Sequence, residues 1–475
     1  MSNVLDLSLI AAADAIRRRE ISATELTRLC LARIEQENSE LNAFLHVEAE
    51  FALEAARAAD RTLARDEAVG ALHGIPVARK DNLQRMGQLF TSGSRVFARR
   101  LGEFTAHCLT RIDAAGAVDL GGTNMSEFAF HVHGFNSLTG PPRNPWDLSR
   151  SAGGSSGGAA AAVAARLAFG AIGSDSGGSI RSPAALCGIV GLAPTPGLIN
   201  TQGMAPGSAT LDRVGPMART VADCARLLSV LAGGDPSDAR SGSRLIAGYE
   251  SELERPVRGL RLGILRDLPD LNHDTSDVLS AAAAVFRDLG CEPVEIRLSG
   301  LDTLNALAMR VFGYEAAASH RDVLGDRAAD IHPEVRERLL RGATVSAEDY
   351  RSAIDAAENE RQEFLRTAFA HADALLLPAA PSEKPDKPDQ GTATPAIDPG
   401  RYTRAFNYLG MPALVLPMGF DATGLPLGMQ LVGKRFDEAL LLNLGHQYQL
   451  ATDWHLRKPS AAGARMPKNQ RLSDA

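Results

Sequence analysis

Residues Ser151–Pro183 read SAGGSSGGAAAAVAARLAFGAIGSDSGGSIRSP. Two glycine–serine runs, Gly153–Gly158 and Gly173–Ser179, flank an alanine-rich segment, Ala159–Leu167, and the apolar stub Ala171-Ile172-Gly173. The alanines predict a helix, and the stub predicts the end of a buried strand. A glycine–serine loop feeding a helix leaves several backbone N–H groups aimed at one point. The order loop, helix, strand, loop brings the two runs side by side at the end of a sheet, where α/β proteins keep their sites. The Trp146–Leu148 and Val163–Leu167 flanks read as packed elements, which excludes a flexible linker.

Outward from this segment, short apolar runs alternate with helical patterns. Ile75-Pro76-Val77, Gly116–Leu120, Leu260–Leu265, Pro293–Ile296, Ala374–Leu377, Ala413–Leu416 and Met429–Val432 predict strands; Thr220–Leu231, Ser276–Leu289 and Asp437–Leu450 predict helices. This alternation predicts an α/β fold, one large domain with a mixed, mostly parallel central sheet covered by helices on both faces. The first seventy residues read as helices, one of them opened by the capping box Ser22-Ala23-Thr24-Glu25. The domain is expected over residues 1–455, with helices to residue 70, a core over 71–231, a helical insertion over about 304–370 and a proline-rich loop over 378–400 that reads as a surface loop or a lid. Residues 456–475 form a basic tail with little apolar matter.

Composition narrows the function. The 475 residues carry 50 basic and 57 acidic side chains, a formal charge of −7, which does not fit a dedicated nucleic-acid binder. The longest charge-free run, Ser182–Leu211, is broken by four prolines and cannot span a membrane. No secretory signal opens the chain, and the five scattered cysteines include no Cys-x-x-Cys pair. A disulfide framework and a zinc ribbon are both excluded, and the cytoplasm is the expected compartment.

The N–H cradle suits a phosphate or a developing oxyanion. No Lys-Ser/Thr follows the last glycine as a P-loop requires, and the spacing does not fit the dinucleotide fingerprint. The oxyanion use needs a nucleophile, and serine needs a base to take its proton. His131 and His133 form a lone His-x-His with no third ligand, and they read as loop or core residues. Lys80 ends the run Gly74-Ile75-Pro76-Val77-Ala78-Arg79; buried there, its pKa would fall toward that of a useful base. Taken alone, a strand-end lysine is equally at home on the surface.

The two halves of Gly153–Pro194 resemble the signature of the amidase signature family: a Gly-Gly-Ser-Ser-Gly-Gly loop, then Gly-Ser-Asp-x-x-Gly-Ser-Ile-Arg-x-Pro. Gly74–Asn82, Thr123–Phe128, Arg143-Asn144-Pro145, Asp212–Thr220 and Gly424–Leu431 are similar to further family segments, so the resemblance covers nearly the whole chain. It implies that Ser179 is the nucleophile, Ser155 a bridging serine after a cis peptide, and Lys80 the general base. It also implies an oxyanion hole from the N–H groups of Ser176, Gly177, Gly178 and Ser179, with Asp175 and Arg181 holding the loop. The implied reaction is cleavage of a small-molecule amide, or a related ester or carbamate, through an acyl-enzyme, with no metal or organic cofactor.

By the same resemblance, the segment after Thr123-Asn124 lines the acyl pocket. Met125, Phe128, Ala129 and Phe130 make it apolar, which favours an apolar or aryl acyl group. Three positions depart from the family pattern: Gly122, Ala193 and Leu198 stand where lysine, lysine and arginine are common. The last two tilt the expectation toward a stand-alone amidase, as a monomer or homodimer and without nucleic-acid or membrane partners. The alternative is the glutamine-hydrolysing subunit of a tRNA-dependent amidotransferase.

Overall fold

The computed structural model describes residues 4–234, 248–265, 268–298, 300–380, 398 and 400–459. The chain begins with α1 (Leu9–Arg17) and α2 (Ala23–Leu41). The expected capping box opens α2: the Glu25 N–H donates to Ser22 Oγ at 3.1 Å, and the Ser22 N–H donates to Glu25 Oε2 at 3.0 Å. A strand absent from the sequence reading, β1 (Phe44–Val47), comes before α3 (Ala49–Ala64). Four residues show too little periodicity to be read alone; β1 exists through its partner strand, Phe44 lying opposite Thr123.

The core follows as β2 (Pro76–Lys80), α4 (His107–Ala114), β3 (Val118–Thr123), the small pair β4 (Arg143–Asn144) and β5 (Asp147–Ser151), then α5 (Gly157–Ala164) and β6 (Gly170–Asp175). It continues with α6 (Arg181–Cys187), β7 (Val190–Ala193), β8 (Arg213–Ala218) and α7 (Val221–Leu231). The second half runs β9 (Arg261–Leu265), α8 (His273–Asp288) and β10 (Glu292–Ile296). Four helices come next: α9 (Leu301–Ser319), α10 (Arg321–Asp326), α11 (Pro333–Ala343) and α12 (Ala347–Thr367). The chain ends with β11 (Ala374–Pro378), α13 (Arg404–Tyr408), β12 (Ala413–Phe420), β13 (Pro426–Val432) and α14 (Glu438–Ala451). Most of the 378–400 loop and of the 456–475 tail, namely 381–397, 399 and 460–475, lies outside the described residues.

Eleven strands form one mixed sheet in the order β1-β3-β2-β6-β8-β7-β12-β13-β11-β9-β10. Parallel pairing does not dominate it, which corrects the sequence expectation. Parallel ladders join only β3-β2-β6 and β11-β9-β10, and the middle of the sheet is antiparallel. The chain passes from β7 to β8 and from β12 to β13 without a helix. Without a helical crossover it turns back on itself, and returning strands pair antiparallel.

Both faces of the sheet are covered. Along β11, Ala374 and Leu376 join the cluster that holds Phe286 of α8 and Leu441 of α14. Leu375 and Leu377 join the opposite cluster, with Leu304, Val335, Phe364 and Phe406 from α9, α11, α12 and α13. A strand buried on both faces reads as an unbroken apolar run, which is how β11 looks in the sequence. Among the described residues, no helix is long and apolar enough to cross a membrane.

Candidate active site

The parallel trio β3-β2-β6 ends at one edge of the sheet, with Lys80 the last residue of β2 and Asp175 the last of β6. Every residue of β2 is buried, and Lys80 is 0% exposed. Its Nζ lies 2.6 Å from Ser155 Oγ and 2.8 Å from Ser174 Oγ, with the Ser174 carbonyl at 3.4 Å. Loss of water around the ammonium brings its pKa from 10.5 down to about 7, against the opposing pull of the Asp175 and Asp212 carboxylates. A buried amine of this kind is neutral in a large fraction of molecules near pH 7.

Ser155 follows a cis peptide bond from Gly154. Gly154 accepts no side chain, because a Cβ there would sit 2.3 Å from Ser126 Oγ and 2.6 Å from the His131 carbonyl. The segment after Thr123-Asn124 thus crosses directly over the turn that carries Ser155, and the Ser126 N–H donates to the Ser155 carbonyl at 3.3 Å.

Ser179 lies in the second glycine–serine loop, tied to the first through its carbonyl, which accepts from the Ser156 N–H at 3.0 Å. It is 9% exposed, against 0% for Ser155 and Lys80, so it is the member of the trio that reaches the surface. Lys80 and Ser155 are hydrogen-bonded; among the described residues, no hydrogen bond joins the Ser179 hydroxyl to them.

The oxyanion loop differs from expectation at one position. The Gly178 N–H donates to Asp175 Oδ1 at 2.7 Å, so it is not free to bind an oxyanion. Gly178 serves by shape: φ is +121°, and a Cβ would lie 2.2 Å from Thr403 Oγ1. The N–H groups of Ser176, Gly177 and Ser179 have no hydrogen bond within the described chain.

Asp175 and Arg181 knit the loop to the late strands. Both are fully buried, with Asp175 Oδ2 accepting from Arg181 Nε at 3.0 Å and from the Ile180 N–H at 3.1 Å. Arg181 Nη1 donates to Gln430 Oε1 at 2.7 Å, and Asn407 Nδ2 donates to Asp175 Oδ1 at 2.9 Å. Burial opposes ionisation of Asp175, but the Arg181 charge and these hydrogen bonds win and hold its carboxyl far below the usual carboxylate range.

Met125, Phe128, Ala129 and Phe130 are all buried. Phe128 and Ala129 have φ of 55° and 59°, an uncommon conformation for side-chain-bearing residues. Phe130 meets Phe312 of α9 edge-on at 4.7 Å, and Phe128 meets His320 at 4.3 Å. These aromatics therefore pack on the helical insertion. His131 is kept neutral by burial, its pKa well below the ordinary histidine value, and it lies 5.3 Å from the His133 ring. No group of three or more histidine, cysteine or acidic side chains suited to a metal occurs among the described residues.

One residue of this edge has no role in the sequence reading. Asp212 stands there only within a family-like segment, yet its carboxylate accepts from the Ser176 hydroxyl in the oxyanion loop. Nothing local in the chain marks it, because the two residues belong to different strand ends brought together by the β6–β8 pairing.

Comparison with known proteins gives one consistent result. The family model described as Amidase matches residues 25–442. A glutamyl-tRNA(Gln) amidotransferase subunit from Cupriavidus necator is 40% identical over 500 residues, covering 96% of this chain and 98% of that protein. The structure of a bacterial aryl acylamidase superposes with a TM-score of 0.88 at 26% identity, covering 97% of this chain and 99% of that one. The peptide amidase of Stenotrophomonas maltophilia gives 0.85 at 30% identity, covering 96% and 98%. Matched along its length in both sequence and fold, the chain belongs to the amidase signature family, the hydrolases of carbon–nitrogen bonds.

Proposed function

We propose that the chain is a stand-alone amidase that cleaves a small carboxylic amide with an apolar or aryl acyl group. The observation that carries this reading is the 2.6 Å contact between a fully buried Lys80 amine and Ser155 Oγ, one loop away from Ser179. In the proposed reaction Ser179 Oγ attacks the amide carbonyl while its proton passes through Ser155 to neutral Lys80. The N–H groups of Ser176, Gly177 and Ser179 hold the oxyanion. The tetrahedral intermediate collapses, the C–N bond breaks, and the proton returns along the same path to the leaving nitrogen. Water then attacks the acyl-enzyme, gives its proton to the relay and releases the acid, restoring Ser179. The Ser155–Ser179 link forms when an acyl group fills the cradle, since catalytic hydrogen bonds tighten in the substrate complex. The scheme needs no metal or organic cofactor, and every group in it belongs to this chain.

The apolar acyl preference is supported by Phe130 and Phe312, which meet beside the oxyanion loop. The position of Gly122 also suits the stand-alone reading: the His46 ring fills the space a side chain would take there, 2.1 Å from an added Cβ, and pairs with Asp81 at 2.8 Å. A second reading, the glutamine-hydrolysing subunit of a tRNA-dependent amidotransferase, is favoured by the 40% identity to a protein of that name. A panel of anilides, aliphatic amides and glutamine on the purified chain separates the two. Hydrolysis of anilides or apolar amides by the chain alone supports the first. Silence toward all of them, with glutaminase activity only on addition of partner subunits and tRNA, would establish the second.

A further inference from the structure

Asp212 is buried just before β8. One carboxylate oxygen accepts from the Ser176 hydroxyl, and the other from the Gly207 N–H at 2.8 Å. The loop between Gly207 and Asp212 is anchored from its far side by Glu315 of α9. Glu315 accepts from the Ser208 hydroxyl, from the Thr210 N–H at 3.0 Å and from the Tyr350 hydroxyl at 2.8 Å. A Cβ built on Gly207 would lie 3.3 Å from Asp212 Oδ1, 3.5 Å from Ser176 Oγ and 3.7 Å from the Phe312 ring. Asp212 therefore stands where the oxyanion loop, the β7–β8 loop and the aromatic wall of the insertion converge.

Its charge environment is as specific as its contacts. Two carboxylates act on Lys80, those of Asp175 and Asp212. Asp175 is already matched by Arg181 at 3.0 Å. Asp212 has no arginine or lysine partner among the described residues, and the cation acting on it is Lys80. Arg213, its neighbour in sequence, points elsewhere and donates to the carbonyls of Met411, Phe406 and Asn407. Glu315, the other acid nearby, is spent on hydroxyls and an amide of the loop.

We propose that Asp212 is a positioning residue of the proton relay: it fixes Ser176, and so aims the peptide nitrogens of the oxyanion loop, and it is the counter-charge against which Lys80 receives the nucleophile's proton. This rests on Lys80 acting as the base. During attack the proton leaves Ser179, passes through Ser155 and makes Lys80 an ammonium in a site with little water. An unpaired anion beside that ammonium stabilises it, where a neutral neighbour would not. The carboxyl of Asp212 is pushed up to about 6 by burial, so it is ionised at the pH where Lys80 loses its proton.

The test compares pH profiles of kcat/KM for the wild type, Asp212→Asn and Ser176→Ala, using an anilide substrate that does not itself titrate. Without the anion, the Lys80 ammonium is less stable, so in Asp212→Asn the acid limb moves toward lower pH by about one unit, and the limiting rate falls at least about tenfold. Ser176→Ala keeps the charge, so its limiting rate falls while its limb stays near the wild-type position. A merely structural Asp212 would lower the rate of both variants and leave both limbs in place, and that result overturns the proposal. Asp212→Ser, also uncharged and smaller, repeats the measurement if the asparagine variant does not fold. Undiminished turnover in Lys80→Met would instead remove the base on which the proposal stands, and that failure is separately visible.

Discussion

Titrating turnover across the Lys80 transition tests the relay most directly. Lys80 is 0% exposed, and loss of hydration brings it from 10.5 down to about 7. At that value the neutral amine makes up about one-tenth of molecules at pH 6, half at pH 7 and nine-tenths at pH 8. Left at its ordinary value, it would be neutral in about one molecule in 3,000 at pH 7. The kcat/KM for a neutral amide is therefore expected to rise about tenfold from pH 6 to pH 8 and to level off above that. Initial rates in overlapping buffers from pH 5 to 9.5 read this directly. A rise of tenfold per pH unit continuing through pH 9 would mean that burial has not lowered the lysine, and a flat profile would mean that no such base acts.

Stability provides a second readout of the same group. The unfolded lysine keeps its proton up to about 10.5, while the folded one releases it near 7. Between those values the unfolded state binds more protons, so stability rises with pH, at about 1.4 kcal/mol per unit at most. Lys80→Met, uncharged and similar in length, is expected to lose both the turnover and this slope. Urea melts at pH 7, 8 and 9 measure it, and an unchanged slope in the variant would assign the pH dependence to other groups.

Three further outcomes are expected. Ser179→Ala should abolish turnover and labelling by a fluorophosphonate probe with an unchanged melting temperature; residual wild-type rates would exclude Ser179 as nucleophile. Gly178→Ala places a methyl group 2.2 Å from Thr403 Oγ1 at a φ of +121°, so it should cost at least about 2 kcal/mol in denaturant melts and shift the Ser179 N–H out of line, lowering kcat. Arg181→Met leaves the Asp175 carboxylate buried without its counter-charge and should cost about 3–5 kcal/mol; adding Asp175→Asn should recover part of that loss.

How much of this was legible in the chain depends on the range of the interaction involved. The two glycine–serine runs announce loops because glycine and serine act on their own backbone, and the alanines between them announce a helix for the same local reason. Strands buried on both faces, such as β11, show as apolar runs. The fold class and the glycine-rich edge could therefore be read directly, and the family resemblance pointed to Lys80, Ser155 and Ser179. By itself, Lys80 read equally well as a surface residue. Its lowered pKa comes from complete burial, which depends on everything packed around β2 and on nothing written beside it.

Other features belong to tertiary structure alone. The antiparallel middle of the sheet follows from which strands meet, and β1 exists only because Thr123 and its neighbours lie opposite it. The loss of the Gly178 N–H from the oxyanion cradle depends on where the Asp175 carboxylate comes to rest. That carboxylate is in turn held by Asn407 and, through Arg181, by Gln430, more than two hundred residues further on. Asp212 reaches Ser176 by the same kind of long-range meeting. Sequence alone determined which segments would form loops, helices and strands, because backbone preference is local. Only the folded chain decided which charges are stripped of water and which hydrogen bonds are already taken, because both depend on residues far apart in sequence sharing one interior.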